Sequence, residues 1–99
     1  MNDQQEKTIT AKAGETFEIR LWEDRTRGEQ WVSSYDSKQI VLIDDDFERK
    51  SGGNIIDAGT RIFQFQADRP GTYELVFEKR LGWRFTPIKR RDYVVSVEP

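Results

Sequence analysis

The 99-residue chain contains neither cysteine nor histidine. Without cysteine it can form no disulfide framework and no thiolate metal site. Without histidine it lacks the commonest general base and zinc ligand, together with every Ser-His or Cys-His catalytic arrangement. We therefore expect a protein that is not an enzyme and that carries no cofactor and no metal.

Long apolar runs are also missing. None approaches the roughly 18 residues that a membrane span requires, and the first ten residues, MNDQQEKTIT, show no apolar signal-peptide segment. We expect one domain over 7–99 behind a flexible tail over 1–6, in a monomer that binds no membrane. The expected location is cytoplasmic, or periplasmic or secreted if a leader peptide has been removed.

Short segments in which apolar and polar residues alternate make up most of the chain. Such alternation is typical of half-buried strands. The clearest segments are Thr16 to Leu21, Phe63 to Ala67, Tyr73 to Glu78 and Tyr93 to Val97, and weaker ones cover 8–13, 31–35 and 40–43. Seven short strands with turn residues between them predict an all-β, antiparallel, immunoglobulin-like sandwich.

One turn supports this prediction. Pro70-Gly71 suits a tight turn, and Tyr73 then opens a strand in a position that resembles the tyrosine corner of immunoglobulin-like sandwiches. Leu75 stands where antibody domains have their second cysteine, and Trp31 matches their core tryptophan. We therefore assign Trp31 to the core.

Three connections carry the unusual sequence, namely 22–30, 49–59 and 79–91. If the strands are counted in order, these connections follow the second, fourth and sixth strands. Each connected pair of strands reverses the chain direction, so all three connections should emerge at the same end of the sandwich. The stretch Asp44 to Lys50 begins with three successive acids, which could suggest a calcium site. Successive side chains on a strand point to opposite faces and cannot converge on one ion, so this stretch is predicted to be a solvated sheet edge.

The segment DRTRGEQW in the first connection resembles the NPTTG motif, with its following aromatic residue, of the chagasin family of cysteine-protease inhibitors. Asp24 and Arg25 take the Asn and Pro places of the motif, Thr26 and Gly28 match it, and Arg27 replaces the second Thr. Glu29 stands where an aromatic residue is usual, and Trp31 matches the Trp that follows. We call residues 24–28 loop one.

The other two motifs of the family are GxGG and RPW or RPF. Residues 55–59, called loop two, match the first in part: Ala58 and Gly59 fit, whereas Asp57 or Ile56 replaces a Gly. Residues 81–83, called loop three, match the second at Trp83, while Leu81 and Gly82 replace Arg and Pro. The resemblance extends over about 7–97.

The resemblance implies a reversible, non-covalent inhibitor of papain-like cysteine proteases, in which three loops at one end of the sandwich occlude the active-site cleft. Loop one would lie at the catalytic Cys–His pair, with Thr26 near the His. Loop two would run beside the cleft as an extended strand, and Trp83 would pack on aromatic side chains of the protease. The protease-binding residues would be Asp24, Arg25, Thr26, Arg27, Gly28, Asp57, Ala58, Gly59, Leu81, Gly82 and Trp83.

The residues themselves leave alternatives open for each loop. Loop one could be a solvated turn held by internal ion pairs. If it instead acts as a wedge in a protease cleft, Arg25 and Arg27 would leave it more flexible than a loop with Pro, and they would favour an acidic cleft. One of Ile55 and Ile56 should point inward and the other outward. At least one of Trp83 and Phe85 should fold back to cover the core, and we expect Trp83 to be the exposed one.

A second function remains open for the whole chain. It could be an immunoglobulin-like binding or adhesion domain for a protein or a carbohydrate, using Trp22 and Trp83, that has lost inhibitory activity. Basic residues around Trp83 are compatible with nucleic acid, but the net charge of −2 argues against it.

Overall fold

Seven strands in two sheets make up the computed structural model, which describes residues 4–50, 57–84 and 86–99. The strands are β1 (Gln4–Lys12), β2 (Thr16–Asp24), β3 (Glu29–Ser34), β4 (Val41–Arg49), β5 (Ala58–Gln66), β6 (Gly71–Leu81) and β7 (Lys89–Glu98). A single turn of 3₁₀ helix, Arg25–Arg27, follows β2. The predicted all-β sandwich of about seven strands is confirmed.

The first sheet has the strand order β1-β7-β6-β3 and the second has the order β2-β5-β4. All pairs are antiparallel except β1 with β7, which is parallel. Strand β1 begins inside the segment expected to be a tail, because Gln4 already pairs with Arg90.

Aromatic side chains fill the space between the sheets. Phe63, Phe65 and Phe77 are fully buried, and Phe77 makes an edge-to-face contact with Tyr93 at 5.5 Å between ring centroids. Trp31 is 3% exposed, so its assignment to the core is confirmed. In a domain that can bury only one modest core, each of these rings stabilises the fold by about 3–5 kcal/mol relative to alanine.

The tyrosine corner is also present. The hydroxyl of Tyr73 donates to the carbonyl oxygen of Arg69 at 2.7 Å, closing the turn that joins β5 to β6. Leu75, two residues later, is fully buried at the position of the antibody cysteine. Packing at this position thus takes the place of a disulfide.

Strand β4 forms an edge of the second sheet, as expected from its acidic residues. A bulge lies between Leu42 and Asp44, and the side chains of Asp44 and Asp46 are exposed. Bulges and charges of this kind discourage edge-to-edge association. Within the described ranges, no group of three or more Asp and Glu could hold a metal ion, and no helix is long and apolar enough to cross a membrane.

Candidate functional site

Loops one and two are joined directly by three hydrogen bonds. The backbone N–H groups of Arg25 and Thr26 both donate to the carbonyl oxygen of Asp57, at 2.8 and 3.2 Å. In return, the N–H of Asp57 donates to the hydroxyl oxygen of Thr26 at 2.7 Å. These bonds fasten the two loops to each other, although 31 positions separate Thr26 from Asp57.

Loop three is attached to loop one on its other side. The N–H of Gly82 donates to the carbonyl oxygen of Gly28 at 3.2 Å. Gly28 has a φ of 77°, a left-handed conformation that L side chains rarely adopt, so glycine is needed there. The predicted convergence of the three connections at one end of the sandwich is thus observed, with loop one in the middle.

Loop one itself is a closed turn. The carboxylate of Asp24 accepts from the N–H of Thr26 at 3.0 Å, and the N–H of Gly28 donates to the carbonyl oxygen of Arg25 at 3.0 Å. Asp24 thus acts as the N-cap and Gly28 as the C-cap of the 3₁₀ turn. The backbone of this loop is bent rather than extended.

A buried carboxylate lies beneath the turn. Glu23 has no exposed surface, and its oxygens accept from the Trp31 N–H at 2.8 Å and from the Arg61 guanidinium at 2.9 Å. Arg61 in turn holds Asp45 of the edge strand through two bonds of 2.6 and 2.8 Å, and this pairing raises the pKa of Arg61. The resulting network ties β2, β3, β4 and β5 together under loop one.

A second buried pair lies next to the first. Glu29 accepts from the N–H of Asp24 at 3.1 Å and lies 3.3 Å from the ammonium group of Lys79. The same ammonium is 5.3 Å from the ring of Trp31. Buried charges are tolerated only when they are paired and hydrogen-bonded, and here the pairs fix both ends of the turn.

The expectation that Arg25 leaves loop one flexible is wrong. Its Nε donates to Glu23 at 2.8 Å, and its guanidinium stacks 3.8 Å from the ring centroid of Phe47. Arg25 therefore restrains the loop where the family motif has Pro. Arg27 differs, since its side chain is 73% exposed and reaches the Glu29 carboxylate only at 4.0 Å. The two interpretations of loop one are compatible: internal ion pairs hold the turn, and its outer side remains open.

In loop two, Asp57 is the residue that faces the other loops. Its carboxylate accepts from Arg49 at 2.7 Å, and this bond holds the pKa of Asp57 below the ordinary value of 3.8. Ala58 and Gly59 begin β5 and are buried between β2 and β4; a Cβ at Gly59 would collide with the carbonyl oxygen of Glu48. Contact of these two residues with a protease stays a prediction. Residues 51–56, with the predicted orientations of Ile55 and Ile56, lie outside the described residues.

Loop three presents the most exposed large apolar side chain among the described residues. Trp83 is 77% exposed, as predicted, and the guanidinium of Arg84 lies 5.9 Å from the centroid of its ring. Leu81 ends β6 opposite Glu29, and Gly82 carries the bond to loop one. Phe85, the other candidate for covering the core, lies outside the described residues.

Sequence reasoning missed the four buried charges, Glu23, Glu29, Arg61 and Lys79. A signal for three of them was present in the strand alternation. Glu23 continues the inward row of Ile19 and Leu21, Lys79 continues that of Leu75 and Phe77, and Glu29 precedes Trp31 by two positions. A charged residue at an inward position near a strand end marks an internal ion pair.

The chain belongs to the chagasin family of peptidase inhibitors, I42, whose model matches residues 10–97. The chain is thus a member of an inhibitor family rather than an enzyme. Among curated proteins, no sequence matches it significantly.

Solved structures share the fold at low sequence identity. The cysteine protease inhibitor EhICP2 from Entamoeba histolytica is 17% identical, with a TM-score of 0.80 over 93% of this chain and 86% of that one. Amebosin is 20% identical, with a TM-score of 0.64 over 99% and 97%. PbICP-C, solved in complex with falcipain-2, is 16% identical, with a TM-score of 0.63 over 98% and 89%. At these identities the likeness establishes the fold.

Proposed function

We propose that this protein is a reversible, non-covalent inhibitor of papain-like cysteine proteases that blocks the active-site cleft with loops one, two and three. The observation that carries the proposal is the direct bonding of three distant chain segments into one edge at a single end of the sandwich. Family membership supports it, as does the likeness to inhibitors of cysteine proteases.

The geometry of loop one suits a wedge that is not cleaved. Extended segments bind by adding their backbone to a neighbouring strand edge, whereas residues 25–27 form a capped 3₁₀ turn. The backbone N–H groups of Arg25 and Thr26 already donate hydrogen bonds within the inhibitor, to Asp57 and Asp24. In this proposal loop one enters the cleft at the catalytic pair and excludes substrate without presenting a peptide bond for attack.

Trp83 is the proposed anchor of the complex. A large, exposed aromatic ring beside an arginine has the composition of an interface hot spot. The ring stands on loop three, which Gly82 fastens to loop one, so the wedge and the anchor keep a fixed separation. Fixing the loops before association lowers the entropy cost of binding.

Titration of papain and cathepsin-like enzymes with the protein tests the proposal. We expect residual turnover to fall with inhibitor concentration, with a raised apparent KM and an unchanged kcat, because the cleft is occupied reversibly. The inhibitor should be recovered uncleaved. If every such enzyme stays fully active at high micromolar concentration, the proposal is wrong.

Thr26→Ala should weaken this inhibition by about 2- to 12-fold, corresponding to one lost hydrogen bond of about 0.5–1.5 kcal/mol. The substitution removes the acceptor for the Asp57 N–H and so loosens loop two from loop one. Thr26→Ser keeps that acceptor and is the matched control. Equal inhibition constants for the Ala and Ser variants would contradict the role of the hydroxyl.

The alternative of a carbohydrate-binding domain retains one supporting observation. Trp22 is 50% exposed on β2, away from the core. This alternative would be favoured if the protein bound oligosaccharides through Trp22 and Trp83 and left the proteases active. Binding to a glycan array combined with the titration above separates the two functions.

A further inference from the structure

Charge is distributed unevenly between the loop end and the rest of the molecule. The segments 23–29, 49–59 and 79–91 contain ten of the sixteen Lys and Arg residues but four of the eighteen Asp and Glu residues. The remainder holds six basic and fourteen acidic residues. A chain with a net charge of −2 thus has a basic pole and an acidic body.

Three of the four acids at this pole are neutralised by a paired cation. Glu23 and Glu29 are buried and paired with Arg61, Arg25 and Lys79. The other two are engaged within the loops, where Asp57 pairs with Arg49 at 2.7 Å and Asp24 caps the 3₁₀ turn. Arg80 and Arg90 are paired as well, with Glu78 and Asp92 just outside these segments. The excess positive charge at this end therefore lies on other cations, among them Arg27 and Arg84.

Two arginines carry such charge at this end, Arg27 on loop one and Arg84 directly after loop three. Arg27 is mostly exposed on loop one, and its nearest carboxylate is at the 4.0 Å limit of an ion pair. Arg84 is exposed next to Trp83 on loop three. Arg25 is different because it is committed to Glu23 and Phe47. Hence Arg27 and Arg84 are the cations placed to meet a partner.

We infer that the partner is a papain-like protease with an acidic cleft rim, and that Arg27 and Arg84 determine this specificity. The inference rests on the proposed function. A basic pole facing an acidic cleft accelerates encounter more than it strengthens the final complex, because charge attraction acts at distances where contacts have not formed. Salt screens that attraction over about 8–10 Å at ordinary ionic strength.

The test measures association and dissociation rate constants by progress curves over a series of NaCl concentrations. It uses one papain-like protease with an acidic cleft rim and one with a neutral or basic rim. The variants are Arg27→Gln, Arg84→Gln and the double variant. Arg69→Gln is the matched control, since Arg69 is an exposed arginine in the β5–β6 turn at the opposite end.

For the acidic-rim protease we expect the association rate constant to fall about tenfold from low to high salt. The double variant should lose most of this dependence, with a dissociation rate constant within about threefold of wild type, and Arg69→Gln should behave as wild type. The second protease should associate more slowly, and added salt should leave its association rate constant unchanged if the rim is neutral or raise it if the rim is basic. Salt-independent inhibition of both proteases would overturn the inference and leave the proposed function intact. Absence of inhibition at every salt concentration would overturn both.

Discussion

Glu23→Ala is expected to lower the free energy of unfolding by about 3–5 kcal/mol. The substitution removes one partner of the buried Arg61 guanidinium and leaves the Trp31 N–H without its acceptor. Domains of this size are stable by only about 5–15 kcal/mol. The variant should therefore melt well over 10 °C below wild type, at about 4–8 °C per kcal/mol. Thermal and urea denaturation followed by circular dichroism measure the effect.

Glu18→Ala is the matched control on the same strand. Glu18 faces outward, and its carboxylate pairs with Arg20 and Gln64 on the surface, where an ion pair contributes about 0–1 kcal/mol. If the two variants were equally stable, the buried ion pairs of Glu23 would contribute no more to folding than a surface pair does. Whatever Glu23→Ala protein remains folded should also inhibit more weakly, since Arg25 loses its carboxylate partner.

Trp83→Ala is expected to raise the inhibition constant against a susceptible papain-like protease by about 5- to 150-fold, corresponding to 1–3 kcal/mol for an interface anchor. The indole buries little surface in the free protein, so the melting temperature should not change. The effect should appear in the dissociation rate constant, in contrast to the effect of the arginines.

Trp22→Ala serves as the control for the loss of an exposed indole. Trp22 is half exposed and lies on strand β2, outside the three loops. The Trp22→Ala substitution should therefore leave the inhibition constant unchanged. An unaltered inhibition constant for Trp83→Ala would show that loop three is not the anchor. Equal effects of the two substitutions would point to a wider apolar contact than the three loops provide.

The fold was largely predictable because its strands bury one face each. Leu75 and Phe77 are fully buried where the alternation of β6 places them inward. Strand β5 was predicted too short, from Phe63 instead of Ala58. Its first half does not alternate between apolar and polar residues, because the charged Arg61 occupies a buried position and its burial depends on Glu23 and Asp45. Those partners are distant in sequence, so no local pattern reveals them.

The end at which the loops meet was also predictable, because strand direction alone decides it. The way in which loop one is held was not. A motif with arginine at the position of proline suggests a looser turn, yet Arg25 is fixed by Glu23 from its own strand and by Phe47 from the edge strand. Only the tertiary arrangement brings these groups within reach of each other.

The three loops hold one another chiefly through main-chain atoms of Arg25, Gly28, Asp57 and Gly82. Such bonds do not depend on which side chains point outward, so Arg27, Trp83 and Arg84 can be exchanged while the backbone keeps its course. A library randomised at those three positions would retain the architecture and vary only its chemistry. The domain, free of cysteine and therefore indifferent to reducing conditions, is thus a ready framework for selecting binders against other clefts.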